Sequence, residues 1–119
     1  MRDYRKLDVW KKSHALTLLV YRQTRSFPRD ELYGLVAQMR GSARSIPANI
    51  AEGSGRSSRA DLARFLDMSM GSANELSYYI ELARDLDYIT AEAAALLDSL
   101  AAEVNRMLVA LARTVRRTR

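Results

Sequence analysis

The sequence predicts an all-α fold: an up-down-up-down antiparallel four-helix bundle with a kinked second helix. Three observations carry that prediction. Apolar residues recur at steps of three and four through four long stretches. Stop and cap signals fall between those stretches. The connections are short, so consecutive helices should pack antiparallel. With 119 residues, 48% hydrophobic content, five Gly and two Pro, the chain suits one domain over residues 1–119 with a single core.

The first helix is expected from about Leu7 to Ser26, with Val9, Leu16, Leu19, Val20 and Gln23 near one stripe. Pro28 cannot continue it, and Asp30 can cap the next helix. The second helix carries Leu32, Leu35, Val36, Met39, Ala43, Ile46 and Ile50 in one phase that runs straight through Pro47. A proline inside a helix removes one backbone bond and costs about 3 kcal/mol. A fresh helix after the proline would have no reason to keep the earlier phase, so one continuous, kinked helix is predicted, with Gly53 as its left-handed C-terminal cap. The third helix begins after Ser58, with Asp61 completing a capping-box arrangement, and turns Leu62, Leu66, Ser69, Ala73, Leu76, Ile80 and Ala83 inward. The fourth starts at Thr90 and buries Leu97, Leu100, Val104, Leu108, Leu111 and Val115. At 1.5 Å per residue such helices make a rod of roughly 30–40 Å.

Several chemistries are closed. The absence of Cys rules out disulfides, thiol catalysis and cysteine metal sites, and it fits a reducing cytosol. The apolar run "HALTLLVY" is short, contains His14 and lacks a small-residue cleavage site, so it does not read as a signal peptide. No stretch approaches the roughly 20 apolar residues of a membrane span. A cytoplasmic protein is expected. The loop "GSGRSS" lacks the Gly-Lys-Ser/Thr ending of a Walker loop and follows a helix, although its backbone N–H groups and Arg56 could hold one phosphate. A di-iron bundle needs paired Glu-x-x-His motifs, and the sole histidine, His14, has Lys11 three residues before it. Glu52, Asp61 and Glu75 could cluster near the kink, but such carboxylates ordinarily cap helices or pair with Arg. No enzyme, catalytic residue, metal or cofactor is expected.

The charge is unevenly placed. The predicted topology gathers residues 1–12, 40–64 and 106–119 at one end, where 15 basic and 4 acidic side chains leave a net +11. Residues 13–39 and 65–105 hold 4 basic and 10 acidic side chains, a net −6, which restores the total of +5. Cations at helix C-termini offset the macrodipole, which accounts for Arg44, Arg113, Arg116 and Arg117 as structural charges. It does not account for Arg2, Arg5, Lys6, Arg56 or Arg59, placed at helix starts or in a loop. An anion-binding surface and a merely solvated basic end are the two readings of these nine residues.

The segments "FPRDELYGL", "QMRGSARSIPANIAEGSGR", "DLARFLDMSMGSANELSYYIELA" and "VNRML" together resemble the four-helix bundle family first met as proteins encoded in 23S ribosomal RNA intervening sequences. The chain is also similar to the accessory variability determinants of diversity-generating retroelements. The resemblance covers Leu7 to about Leu111. It implies a bundle that assembles into a homopentamer with a basic surface, and by analogy contact with structured RNA and a reverse transcriptase. The family pattern maps onto Ser45, Ile46, Asn49, Ile50, Glu52 and Gly53, then Gly71, Ser72 and Glu75. Read physically, Gly71 and Ala73 allow close approach of the third helix to a neighbour. Asn49, Glu52, Ser72 and Glu75, with Ser42 and Ser45 nearby, form a polar network around the carbonyl freed by Pro47.

Two functions follow as expectations. The first is binding of structured RNA or duplex through the basic end, multiplied by oligomerisation, with little sequence preference. Tyr4 and Trp10 are the aromatics near that end, which gives little support for single-strand stacking. The second is a protein–protein scaffold, or an accessory subunit for a partner such as a reverse transcriptase, whose basic end only steers the encounter. Docking on membranes is disfavoured, because the basic residues lack an adjoining apolar face in the sequence.

Overall fold

The computed structural model describes residues 3–117. A 3-10 turn at Tyr4–Lys6 leads into α1 (Asp8–Thr24), and a second 3-10 turn at Arg29–Glu31 precedes α2 (Leu35–Ser54). α3 (Arg59–Asp85) and α4 (Ala91–Arg117) complete the molecule, and no strand occurs among the described residues. Cross-helix bonds fix the directions. Arg40 of α2 reaches Thr24 near the end of α1, and Lys12 of α1 pairs with Glu103 of α4. Along α2 and α3 the contacts run from Gln38–Tyr79 through Ser45–Ser72 to Gly53–Phe65, which is antiparallel. The bundle measures 48 × 23 × 20 Å, longer than the helix lengths alone suggest, because turns extend both ends of the 27-residue α3 and α4.

The predicted inner face of α3 is buried throughout, as are Leu97, Val104, Leu108 and Val115 of α4. Leu100 and Leu111 are half-buried, and Ala94, Ala101 and Ala112 line the seam beside them, because small side chains let α4 approach its neighbours. In α1 the innermost positions are Leu16 and Val20 with Ser13, Thr17 and Thr24, while Leu19 and Gln23 sit at the margin.

α2 begins one turn later than its periodicity suggests. Leu32 is exposed, and Asp30 is not the cap. Residues 29–31 form the 3-10 turn, and the longer Glu31 side chain reaches forward so that Leu35 N–H donates to its Oε1 at 3.1 Å. From there α2 runs unbroken through Pro47 to Ser54.

The carbonyl that Pro47 deprives of its N–H donor belongs to Ala43. Its replacement comes from another helix: Thr17 Oγ1 lies 3.1 Å from Ala43 O and 2.8 Å from Ser13 O, so one buried hydroxyl proton is shared between two carbonyls. The predicted network around that carbonyl is therefore corrected. Asn49 Nδ2 donates to Ser45 O (2.8 Å) and Ser45 Oγ (3.0 Å), and Ser72 Oγ donates to Ser45 Oγ (2.8 Å), a chain that ties α3 to α2 one face away. Ser42 bonds Gln38 O and Met39 O within its own helix. Glu52 pairs with Arg56, and Glu75 is exposed.

Gly53 is also not a left-handed cap, since no glycine has positive φ among the described residues. It is helical and buried, and a Cβ there would meet Phe65 Cβ at 2.8 Å and Leu62 Cδ1 at 3.1 Å. The residue is small because α3 crosses directly over it. Gly71, by contrast, has no atom within 4 Å of a Cβ position, so it serves no close approach within this chain. It faces outward, whereas Ala73 is buried.

Candidate nucleic-acid interface

The start of α1, the end of α2, the start of α3 and the end of α4 meet at one end of the rod, as the antiparallel order requires. α3 starts where it does because Ser58 Oγ accepts from Asp61 N–H at 3.1 Å. That cap launches Arg59 and, one turn on, Arg64. Between the first turns of α3 and the last turns of α4 lies a cleft of about 350 Å³, lined by Arg59, Arg64, Asp67 and Arg116 over Ala60 and Val115. A neighbouring depression of about 470 Å³ shares Asp67 and Arg116 and adds Arg113 and Arg117 beside Met70 and Val109. Five arginines thus surround one carboxylate, and Arg116 is ion-paired to it.

Across α3 from this cluster, Arg56 and Arg64 flank the buried Phe65, with guanidinium carbons 4.9 and 4.7 Å from the ring centroid. Arg56 Nη2 also lies 2.9 Å from Glu52 Oε2, and Arg64 lies 3.7 Å from Asp61. Such exposed pairs contribute about 0–1 kcal/mol and leave most donors of each guanidinium available to a ligand. Arg5 is paired with Asp3 at 3.5 Å and lies over the Tyr4 ring, and Lys6 is exposed beside it.

The predicted set is thus partly reassembled. Arg59, Arg113, Arg116 and Arg117 converge, Arg56 stands on the other side of α3, Arg5 and Lys6 occupy the same end, and Arg2 lies outside the described residues. Arg44 does not belong there. It lies ten residues before the end of α2, about 15 Å along the axis, and its Nη1 donates to Tyr21 Oη at 3.3 Å. Its assignment to a helix C-terminus fails because it stands well outside the last turn of α2, which ends at Ser54. With Arg40 and Arg44 away from the end and Asp67 in it, the positive excess there is smaller than the sequence suggests.

The loop "GSGRSS" changes meaning as well. Gly55 N–H bonds Glu52 O and Arg56 N–H bonds Gly53 O, so both amides turn back onto α2 instead of facing a phosphate. Cation capacity at this end resides in side chains. Sequence reasoning missed Arg64 and Asp67. Arg64 was findable, within the first two turns of α3, but the pairing of Asp67 with Arg116 across 49 residues has no local signal. Trp10, half-buried, is stacked on the exposed His14 at 5.0 Å with planes 8° apart and met edgewise by Tyr4. One face of the indole is therefore already occupied.

The fold and this end together define an all-α bundle protein with an arginine-rich pole. The chain belongs to the 23S rRNA-intervening sequence protein family, whose model matches residues 5–110. It is similar in structure to a protein of unknown function from the S23 ribosomal protein family of Bacteroides thetaiotaomicron, at 28% identity and a TM-score of 0.79 over 87% of this chain and 97% of that one. No curated protein matches it. No helix among the described residues is long and apolar enough to cross a membrane.

Proposed function

We propose that this chain is a non-enzymatic bundle protein of the cytoplasm that binds structured RNA or duplex nucleic acid through its arginine-rich end, acting as a homo-oligomer. The observation that supports the reading is the gathering of Arg59, Arg64, Arg113, Arg116 and Arg117 around a single carboxylate. Asp67 and Asp61 offset two of those charges, through Arg116 and Arg64, and the remainder suit the phosphate oxygens of a polyanion. The contacts are to backbone and shape, because among the described residues no free aromatic platform stands beside the arginines to stack bases. The pentamer implied by the family resemblance would multiply weak single-site contacts into avid binding.

The test is fluorescence anisotropy of labelled hairpin RNA, duplex DNA and a single strand across a salt series. The expected result is affinity that falls steeply with salt, with a slope of roughly −0.9 per phosphate neutralised on B-DNA. Absence of binding at low salt overturns the proposal. Light scattering of the same sample reads the oligomer number.

A second reading, a scaffold or accessory subunit for a protein such as a reverse transcriptase, draws support from exposed Leu18, Met68, Tyr78 and Leu96 on the helices. Capture of such a partner that saturates after nuclease treatment distinguishes it.

A further inference from the structure

At the end opposite the arginine cluster, the α1–α2 connection folds over a cleft of about 250 Å³. Arg25, Arg29 and Arg40 line it together with Phe27, Leu32 and Val36. Phe27 and Val36 are core residues whose edges form an apolar floor, and Leu32 stands exposed at the rim.

Arg40 is the unusual member. It is half-buried, its Nε donates to Thr24 Oγ1 at 2.9 Å, its Nη2 donates to Tyr21 O at 3.3 Å, and its guanidinium carbon lies 4.7 Å from the Tyr21 ring centroid. All of these partners are neutral. A guanidinium has five N–H donors, so most of its donor capacity is not engaged by these two bonds. Among the described residues, none of Arg25, Arg29 and Arg40 has a carboxylate within ion-pair distance. Glu31, two residues from Arg29, has one oxygen committed to Leu35 N–H and the other to Tyr88 Oη. A cation partly withdrawn from water gains from a counter-charge, and Arg40 has none among the described residues. Here it is held in a fixed orientation beside apolar surface, which is the chemistry of a waiting anion site and not of a solvated helix face.

We propose that this cleft binds a small organic monocarboxylate with an aromatic or branched apolar body. The carboxylate takes the fixed fork of Arg40, with Arg25 and Arg29 adding attraction from the rim, and the body lies on Phe27, Leu32 and Val36. The cavity falls just below the roughly 300–1,000 Å³ of drug-sized ligand pockets, which suits a ligand the size of phenylacetate. A bare phosphate gains nothing from the apolar floor. This site is independent of the nucleic-acid reading and lies at the other end of the rod.

The test is a heteronuclear NMR titration of the full chain at neutral pH with phenylacetate, phenylacetamide and inorganic phosphate. Phenylacetate is expected to shift the amides of Thr24, Phe27 and Arg40 saturably, and its neutral amide to bind at least about tenfold more weakly for want of the charge-assisted bond. Phosphate is expected not to saturate those amides. Arg40→Lys keeps the charge but loses the fork, and is expected to weaken phenylacetate by about tenfold. Arg25→Gln with Arg29→Gln alters two exposed positions, leaves the fold intact, and is expected to weaken binding by about threefold. It decides the matter if Arg40→Lys perturbs folding. Binding of the amide or of phosphate equal to that of phenylacetate, or no saturable shift in this cleft, overturns the proposal.

Discussion

The waist of the bundle at Pro47 and its arginine-rich end treat polar groups in opposite ways. At the waist a missing N–H is replaced by a hydroxyl from another helix, and Ser45, Asn49 and Ser72 satisfy one another within 3.0 Å. At the end five arginines line the depressions around Asp67, where Arg116 pairs with Asp67 and Arg64 with Asp61 and the other three have no carboxylate within ion-pair distance among the described residues. The waist is satisfied within the fold, while the end keeps an excess of cationic side chains, which is the basis of the binding proposed for it. Substitutions at the first should therefore register in stability, and those at the second in binding.

The largest effect is expected from reversing Arg56 and Arg59 to Glu together. This should reduce polyanion affinity by roughly a hundredfold, about 2.7 kcal/mol, at low ionic strength. Circular dichroism should report unchanged helix content, and unaltered affinity would remove these two residues from the interface.

Next comes Thr17→Val. It leaves Ala43 O without its cross-helix donor in a buried setting, at an expected cost of about 1–3 kcal/mol by urea denaturation. Pro47→Ala in that background restores a backbone N–H to the same carbonyl. A double-mutant cycle should therefore show the Thr17 cost much reduced when Pro47 is absent, and simple additivity would mean the two residues are not coupled.

Gly53→Ala should cost about 1–2 kcal/mol. The added methyl would force α2 and α3 apart at Phe65 and Leu62 and outweigh the helix propensity that alanine gains. A rise in melting temperature would show that this crossing is looser than its geometry.

A smaller change, in the opposite direction, is expected for Asp67→Asn. Releasing Arg116 should tighten polyanion binding by about threefold while altering stability by less than about 1 kcal/mol. The smallest concerns Asp98. Partial burial raises its pKa above the ordinary carboxylate value, with Glu81 adding to the rise and Arg84 opposing it. A raised folded-state pKa is a stability contribution present below the unfolded value and lost as pH climbs through the folded one. Asp98→Asn should therefore raise the melting temperature slightly at pH 7, with the difference vanishing below about pH 4.

How much of this was legible depends on distance along the chain. The inward face of α3, the cap at Ser58, the start of α4 near Thr90 and the continuity of α2 through Pro47 are local, and periodicity and spacing reveal them. Gly53 was misread because a glycine near a helix end ordinarily serves φ, whereas here it serves a crossing that only the α2–α3 packing creates. Thr17 was invisible as the partner of Ala43 for the same reason, being 26 residues away on another helix. Arg44 was misplaced because sequence position was taken as axial position, and helix boundaries set the latter.

Glu31 joins the two turns at the far end. One of its oxygens fixes the first residue of α2, and the other receives the Tyr88 hydroxyl, whose ring lies 5.3 Å from Phe27. The phenol is correspondingly harder to ionise, foremost because of that hydrogen bond. The link spans 57 residues, so it exists only once both helical hairpins have closed. The α1–α2 and α3–α4 turns are therefore expected to open together, their amides exchanging hydrogen with a common opening energy, and separate exchange of the two turns would break that link.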